Sequence, residues 1–172
     1  ENKYSRYRHD SVVTKINEQA KQHQPSTLDH ETKALFDHAL SCYQQSDGYF
    51  DITAGLLSKL WNFKTAVIPR PDAIAEVLTN VGLNKLHWNE STLNMPSGME
   101  IDFGGIVKEY AADSLATLAR ALGCESGLVN LGGDFAVIGP HPQTGTWPIG
   151  IVDPNNQSGV IATLTLLSGG LA

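Results

Sequence analysis

The segment IDFGGIVKEYAAD, residues 101–113, brings an aspartate, two glycines and a lysine close together in the chain. Here an alternating apolar pattern changes to helical spacing, so Gly104 and Gly105 lie where a strand is predicted to become a helix. Glycines at such a joint let a ligand approach the backbone, because they lack Cβ. Lys108 lies in the first helical turn, where the helix dipole disfavours a cation by about 0.3–1 kcal/mol. A bound phosphate would remove that conflict; a tight turn with a solvated lysine is the alternative.

Two further segments carry aromatic residues beside charged ones, a combination that suits a nucleotide. In SRYRHDS, residues 5–11, Tyr7 lies between two arginines, and such a ring can stack on a planar ligand with phosphate nearby. In SDGYFDIT, residues 46–53, a predicted turn precedes two aromatics and an acid, which suits the rim of a pocket for a heteroaromatic ligand. The residues after the turn are Tyr49, Phe50 and Asp51. Solvated charges in the first segment, and hairpin residues with core aromatics in the second, are the alternatives.

Paired glycines occur again in VNLGGDFAVIG, residues 129–139, between two predicted strands. Glycines at such a position predict a bulge or a close approach of the backbone to another group. A structural turn capped by Asp134 is the alternative. The segment is not a dinucleotide fingerprint, because no helix follows and the third glycine is missing.

The composition limits the class of protein. A chain of 172 residues is long enough for one domain with a core. Its net charge of −6 argues against the basic surface that is typical of nucleic-acid-binding proteins. No apolar run approaches the roughly 18 residues that a membrane span needs. The histidines have no zinc spacing, and Cys42 and Cys124 are expected to be buried small hydrophobes. Because the chain starts without methionine and ends on an apolar run, we expect a piece of a longer protein.

Apolar periodicity and capping residues predict helices early in the chain and strands late. The predicted helices are 11–20 with Ser11 as N-cap, 30–45 with Asp29 as N-cap, 56–61, one from Pro71 to Gly82, and 106–122. The predicted extended segments are 49–53, a hairpin at 85–96, 99–103, 127–131, 135–139, 147–153 and 160–167. This order predicts an α+β fold with a mixed or mostly antiparallel sheet.

Two of the predicted helices have apolar residues at the spacing of one helical face. In the helix from Pro71 the residues predicted to point inward are Ile74, Val77, Leu78 and Val81. In the helix 106–122 the residues at this spacing are Val107, Ala111, Leu115, Leu118 and Leu122.

Taken together and in this order, these segments resemble one family, the ApbE-type FAD:protein FMN transferases, formerly called thiamine-biosynthesis lipoproteins. The resemblance runs along the whole chain and is carried by five motifs. They are SRYRHDSVVTKIN, SDGYFDIT, LWNF, IDFGGIVKEYAAD and LVNLGGDFAVIG. Each motif alone is weak, whereas five in register are specific. The resemblance implies an ApbE-like, T-fold-like α+β architecture.

The resemblance also implies roles for particular residues. Tyr7 matches the aromatic residue that packs on FAD. The triplet that lines the flavin nucleotide site matches Tyr49, Phe50 and Asp51. Asp102 and Lys108 match two further FAD contacts, and Gly105 matches the small residue whose main-chain carbonyl binds Mg²⁺. A hard main-chain oxygen is a suitable ligand for this hard cation.

The activity implied by the resemblance is Mg²⁺-dependent cleavage of FAD, with transfer of FMN to a threonine or serine of a partner protein and release of AMP. The partner would be a subunit of a membrane-bound redox complex. The family is often found as a lipoprotein on the periplasmic side of the bacterial inner membrane. Three alternatives stay open: a metal-dependent FAD pyrophosphatase, a flavin-binding protein without turnover, and an interaction domain whose glycines only form turns.

Two features depart from the family pattern. Glu109 replaces the usual glycine after the lysine, and we expect its side chain on the solvated face of the helix. The motifs that carry the family's side-chain metal ligands and its catalytic histidine are missing from this sequence. Residues 1–172 are therefore expected to form the N-terminal and central part of a single domain, and the catalytic residues cannot be assigned.

Overall fold

The computed structural model describes residues 2–62, 64 and 67–172. The chain contains two compact units, residues 1–105 and residues 106–172. The first unit is mostly helical, and the second contains one helix and most of the strands. The predicted residues Tyr7, Tyr49, Phe50, Asp51, Asp102 and Gly105 lie in the first unit, whereas Lys108 lies in the second.

Local capping determines where the first two helices begin. The helices of the first unit are α1 (Val12–Lys21), α2 (His30–Gln45) and α3 (Pro71–Leu78), with 3₁₀ segments at Ile52–Lys59 and Leu83–Lys85. The side chain of Ser11 accepts a hydrogen bond from the main-chain N–H of Thr14 at 3.0 Å. Asp29 does the same for Thr32 at 2.8 Å. Both predicted N-caps are therefore confirmed.

The first unit also contains a small antiparallel sheet. Its strands are β1 (Ser26–Thr27), β2 (His87–Trp88) and β3 (Thr92–Asn94), in the order β1–β3–β2. β2 and β3 form the hairpin that was predicted around residues 89–91. In its loop the side chain of Asn89 accepts hydrogen bonds from the main-chain N–H groups of Ser91 and Thr92, both at 3.0 Å.

The core of the first unit is built around aromatic side chains. Phe36 of α2 lies edge-on to Phe103, with ring centroids 5.2 Å apart, and also packs against Trp88 at 5.4 Å. Phe103 in turn meets Tyr4 at 5.7 Å. The side chains of Phe36 and Phe103 are fully buried, so residue 103 is fixed within the core directly before the two glycines of the predicted site.

Residues 99–103 alternate between buried and less buried side chains, as predicted, but they form no strand ladder with another described residue. A side chain takes the place of a neighbouring strand. The amide of Asn17 on α1 accepts from the N–H of Ile101 at 2.9 Å and donates to its carbonyl at 3.1 Å. The next N–H, that of Asp102, donates to the carbonyl of Ile52 at 2.8 Å. The predicted strand is thus an extended segment held by an asparagine.

Two predictions for residues 49–82 are wrong in their bounds. The helix predicted at 56–61 begins earlier, as the 3₁₀ segment Ile52–Lys59, because Asp51 caps the N–H of Thr53 at 2.8 Å. α3 ends at Leu78 and does not continue to Gly82, which instead precedes the next 3₁₀ segment. No residue of α3 is fully buried, and Leu78 is 46% exposed, so its apolar face is covered only in part.

The second unit consists of one helix and two antiparallel sheets. Its elements are α4 (Val107–Ala121), β4 (Gly127–Leu131), β5 (Asp134–Gly139), β6 (Trp147–Asp153), β7 (Asn156–Leu166) and β8 (Gly170–Leu171). The sheets have the strand orders β4–β5–β8 and β6–β7. The predicted α+β class with antiparallel pairing is confirmed.

α4 packs on its sheet through small residues. Ala112 and Ala116 are buried against Ala136 of β5, with Val129, Leu131 and Ile138 around them. The leucines at the predicted helical spacing lie elsewhere: Leu115, Leu118 and Leu122 are 47%, 55% and 76% exposed. The helix was predicted correctly but its buried face was not, because alanines allow closer approach to the sheet than leucines do.

The two cysteines differ in their exposure to solvent. Cys42 is half-buried and Cys124 is exposed, so the prediction of two buried cysteines is wrong for Cys124, which lies beyond the end of α4. Among the described residues, no helix has the length and apolar character needed to cross a membrane.

Candidate functional site

Two tyrosines of the first unit present their rings to solvent. Tyr7 is 88% exposed and Tyr49 is 95% exposed. Neither ring stacks on another aromatic ring within the described part of the chain. Large aromatic side chains are usually buried at least in part, so this exposure is consistent with surfaces that bind a planar ligand.

A strained turn places Tyr49 at the surface. Asp47 and Gly48 both have positive φ, at 51° and 83°, and a non-glycine residue rarely adopts this conformation. Ser46 holds the turn closed, because its hydroxyl accepts from the N–H of Phe50 at 2.8 Å. The predicted turn at 46–48 is confirmed. It sends residue 49 outward and residue 50 back towards the protein.

Asp51 has a structural role that the sequence did not indicate. Its Oδ1 accepts from the N–H and the hydroxyl of Thr53, at 2.8 and 2.7 Å. Its Oδ2 accepts from the N–H of Leu83 at 3.0 Å. The hydroxyl of Thr53 in turn accepts from the N–H of Gly82 at 2.8 Å. Both carboxylate oxygens therefore tie the start of the 3₁₀ segment to residues 82–83, and contact with flavin stays a prediction.

The segments around Phe50 and Asp102 lie directly against each other. A Cβ added to Gly105 would lie 3.0 Å from Cε2 of Phe50, and one added to Gly55 would lie 2.7 Å from Cβ of Asp102. The second distance is shorter than real Cβ contacts, so position 55 requires glycine. The structure thus brings together four of the predicted residues, Phe50, Asp51, Asp102 and Gly105, along two adjacent stretches of chain.

Asp102 is oriented by hydrogen bonds on both carboxylate oxygens. Oδ1 accepts from the N–H of Gly104 at 2.8 Å, which shapes the turn that follows. Oδ2 accepts from Nη1 of Arg6 at 2.7 Å. Sequence reasoning did not assign Arg6, and only its position beside Tyr7 could have drawn attention to it. Its partner is 96 residues further along the chain, and spacing alone does not reveal such a pair.

Arg6 contacts three groups at once. Besides Asp102, its Nη2 donates to the hydroxyl of Ser58 at 2.6 Å. The guanidinium carbon lies 5.3 Å from the centroid of the Tyr7 ring, within the range of a cation–π contact. The hydrogen bond to Asp102 raises the pKa of the Arg6 guanidinium, so the group carries its charge at any pH at which the protein is folded.

In the second unit, Lys108 already has an anionic partner. Its Nζ lies 2.5 Å from Oδ2 of Asp134 at the start of β5, and Asp134 is buried. This hydrogen bond raises the pKa of Lys108. The anion required by a lysine in the first turn of a helix is therefore a carboxylate of the same chain. A phosphate contact by Lys108 stays a prediction. Because Asp134 already supplies the anion, the position of Lys108 in the helix no longer requires a phosphate.

The expectation for Glu109 is wrong. The residue is half-buried, and its Oε2 is buried without a hydrogen-bond partner among the described residues. Position 109 precedes the buried Ala112 and Ala116 by three and seven residues, so it lies on the same face of α4 as they do. Helical periodicity could have revealed this placement.

The glycines of the last motif form a tight hairpin turn between β4 and β5. Gly132 and Gly133 have φ of 71° and 107°, as a two-residue turn with positive φ at both positions requires. Asn130 closes this turn by accepting from the N–H of Gly133 at 3.0 Å. The turn interpretation is therefore confirmed, but Asn130 caps it and Asp134 does not.

The described residues offer little for a metal ion on their own. They contain no group of three or more histidine, cysteine, aspartate or glutamate side chains that could hold one. Gly105 is exposed and can present a main-chain oxygen. Mg²⁺ is often bound by few protein oxygens together with substrate phosphates and water. A magnesium ligand at Gly105 therefore stays a prediction. The Phe63 of the LWNF motif lies outside the described residues.

A cavity of about 320 Å³ lies elsewhere in the first unit. Its lining includes His23, Lys85, His87 and Met95, and none of the predicted site residues contributes to it.

The similarity to known proteins extends over the whole chain. The model of the ApbE family matches residues 1–172. A curated FAD:protein FMN transferase of Treponema pallidum is 32% identical over 166 residues, covering 86% of this chain and 46% of the relative. The relative of the same name in Chlamydia pneumoniae is 30% identical over 130 residues, covering 73% of this chain and 41% of the relative. The chain thus spans about half the length of these curated relatives.

Solved structures agree with this. The crystal structure of an ApbE protein from Thermotoga maritima superposes with a TM-score of 0.89 and 32% identity, covering 99% of this chain and 57% of that one. A flavinyl transferase ApbE of Pseudomonas stutzeri, in its apo form, gives a TM-score of 0.77 and 27% identity, covering 87% of this chain and 51% of that one. By sequence and by fold, the chain belongs to the ApbE family.

Proposed function

We propose that the protein is an Mg²⁺-dependent FAD:protein FMN transferase. The observation that carries the proposal is the contact of the segments holding Phe50 and Asp102, with the exposed ring of Tyr7 beside Arg6. Curated relatives named as FAD:protein FMN transferases match 86% and 73% of the chain, which supports the same activity for this protein.

The proposed reaction exchanges the phosphoanhydride bond of FAD for a phosphoester bond to the acceptor. The hydroxyl oxygen of a threonine or serine on the acceptor protein attacks the phosphorus on the flavin side of the FAD pyrophosphate. The bond from that phosphorus to the bridging oxygen breaks, and AMP leaves with the bridging oxygen. The hydroxyl proton is released to a base, which is not assigned here. FMN stays attached to the acceptor through a phosphoester.

The exposed aromatic rings would hold the planar parts of FAD. Stacking of aromatic groups contributes about 0.5–1.5 kcal/mol beyond the area buried, so Tyr7 and Tyr49 could each add to FAD affinity. Phe50 lies against the Gly105 turn and would help to fix the distance between the ring-binding segment and the pyrophosphate. Asp102 would accept a hydrogen bond from the nucleotide while Arg6 holds it in place.

The pyrophosphate would lie near positively charged and hard ligands. The main-chain oxygen of Gly105 would be one protein ligand of Mg²⁺, and a bound Mg²⁺ would neutralise phosphate charge and stabilise the leaving AMP. The family resemblance gives Lys108 a contact with FAD, which the lysine would make by leaving Asp134 or by sharing its ammonium between both anions. An ammonium has three donors, so sharing is chemically possible.

The acceptor and the location of the protein follow from the family resemblance alone. We propose that the acceptor is a flavinylated subunit of a membrane-bound redox complex. We also propose that the protein works on the periplasmic side of the bacterial inner membrane as a lipid-anchored protein, and that residues 1–172 belong to one flavin transferase domain.

The test is to incubate the protein at its native length with FAD, Mg²⁺ and an acceptor peptide that contains one threonine. We expect FMN-labelled peptide by mass spectrometry, and AMP in equal amount. A peptide with alanine in place of the threonine is the matched control and should stay unlabelled. Free FMN and AMP without labelled peptide would instead indicate a pyrophosphatase. Intact FAD that stays bound to the protein would indicate a flavin carrier.

A further inference from the structure

We propose that Arg6 is a positioning residue for FAD, which holds the Asp102 carboxylate and the Tyr7 ring in the arrangement that binds the nucleotide. This inference rests on the proposed function, because it assigns a role within the same site. The family resemblance gives no role to position 6, and the assignment comes from the contacts of the side chain.

The first argument is the geometry of the guanidinium. Its two terminal nitrogens donate to different segments, Nη1 to Asp102 at 2.7 Å and Nη2 to Ser58 at 2.6 Å. A planar guanidinium that is held at both nitrogens cannot rotate without breaking one bond. Arg6 therefore joins the N-terminal segment to the 3₁₀ segment and to the turn after residue 101. A lysine could hold one of these partners but not both in this geometry.

The second argument is the environment of the ion pair. The side chains of Arg6 and Asp102 are 31% and 20% exposed. The nearby pair of Arg8 and Asp10 is more exposed, at 42% and 50%, and its partners are only two residues apart. A partly buried pair that joins distant segments fixes their relative position, whereas an exposed local pair contributes little.

The third argument is the ring of Tyr7. The guanidinium lies 5.3 Å from the centroid of the ring, and the residue is still 88% exposed. Arg6 therefore covers little of the ring and leaves ring surface open to a planar ligand. Because the same guanidinium holds Asp102, the ring and the carboxylate are fixed relative to each other before FAD arrives. Such preorganisation strengthens binding because less order has to be created on association.

The experiment measures the FAD dissociation constant by titration of flavin fluorescence, at a temperature at which each variant is folded by circular dichroism. We expect Arg6→Met to weaken FAD binding about tenfold or more, because a hydrogen-bonded charge pair is lost. Arg6→Lys and Ser58→Ala should each weaken binding about two- to fivefold, because one of the two hydrogen bonds remains. Arg70→Met is the matched control, because Arg70 and its partner Asp72 are 81% and 70% exposed, and we expect its dissociation constant to stay within about twofold of wild type.

A double-mutant cycle separates positioning from a general structural role. If Arg6 acts through Asp102, the losses from Arg6→Met and Asp102→Asn will not add, and the double variant will bind FAD about as weakly as Asp102→Asn alone. Additive losses, or equal dissociation constants for Arg6→Met and Arg70→Met, would overturn the inference. If Arg6→Met does not fold, Arg6→Lys and Ser58→Ala take its place in the cycle, and their losses in FAD affinity must likewise not add to the loss from Asp102→Asn. Failure of the wild-type protein to bind FAD would overturn the proposed function itself.

Discussion

The hydrogen bonds of Asn17 give the sharpest prediction about the site. The Asn17 amide pairs with both the N–H and the carbonyl of Ile101, at 2.9 and 3.1 Å, and Ile101 is 1% exposed. In Asn17→Ala both main-chain groups lose their partner. A buried polar group left without a hydrogen bond costs about 1–3 kcal/mol, so two such groups predict a loss of about 2–6 kcal/mol.

One effect of the substitution acts in the opposite direction. Alanine is a better helix former than asparagine by up to about 0.7 kcal/mol, and Asn17 lies inside α1. The net loss in the free energy of unfolding is therefore expected to be about 1–5 kcal/mol. The residues after Ile101 include Asp102 and Gly105, so FAD affinity should also fall.

The assay is unfolding by denaturant, combined with hydrogen exchange at the Ile101 amide. We expect a lower midpoint with an unchanged m-value, and faster exchange at residue 101. Gln19→Ala on the same helix is the control, because the Gln19 side chain makes no hydrogen bond with another described residue. If Asn17→Ala and Gln19→Ala unfold at the same midpoint and the Ile101 amide stays protected, the reasoning about this clamp is refuted.

Three further predictions follow from single contacts. Gly139→Ala should lower the free energy of unfolding by about 1–3 kcal/mol or more, because the new Cβ would lie 2.0 Å from the Glu125 carbonyl oxygen; an unchanged denaturation midpoint would contradict this. Lys108→Met should lower the midpoint by leaving the buried Asp134 without its cation, and adding Asp134→Asn should restore stability but not FAD affinity; recovery of both would show that Lys108 is purely structural. The hydrogen bond from Lys3, and after it those from Thr32, lower the pKa of Asp29 to about 2. The stability that the Asp29 carboxylate contributes is therefore complete above about pH 4 and is lost as the pH falls through 2. Asp29→Asn keeps an oxygen for the N-cap but loses the ion pair, so acid unfolding curves between pH 4 and 2 should be flatter for this variant than for wild type.

The sequence predicted those parts of the fold that depend on local chemistry. Ser11 and Asp29 cap the helices that were predicted to begin there, because a cap needs only a side-chain oxygen and an N–H three residues later. The hairpin at 85–96 and the turn at 46–48 were predicted for a similar reason.

The parts that the sequence did not predict depend on residues far apart in the chain. The pairing of Asn17 with Ile101, of Arg6 with Asp102, and of Lys108 with Asp134 joins residues separated by 84, 96 and 26 positions. The exposed leucines of α4 illustrate the same limit. Apolar periodicity identifies a helix, but it does not show which face meets the sheet when alanines provide a second apolar face.

The hairpin of β6 and β7 has a consequence for the behaviour of the chain in solution. It consists of two strands only, and its exposed side chains include Val152, Val160 and Ile161. Isolated two-stranded ribbons are marginally stable in water, and their outer edges carry main-chain groups ready to pair with another strand. We therefore expect this ribbon to be a surface on which copies of the chain can pair at high concentration.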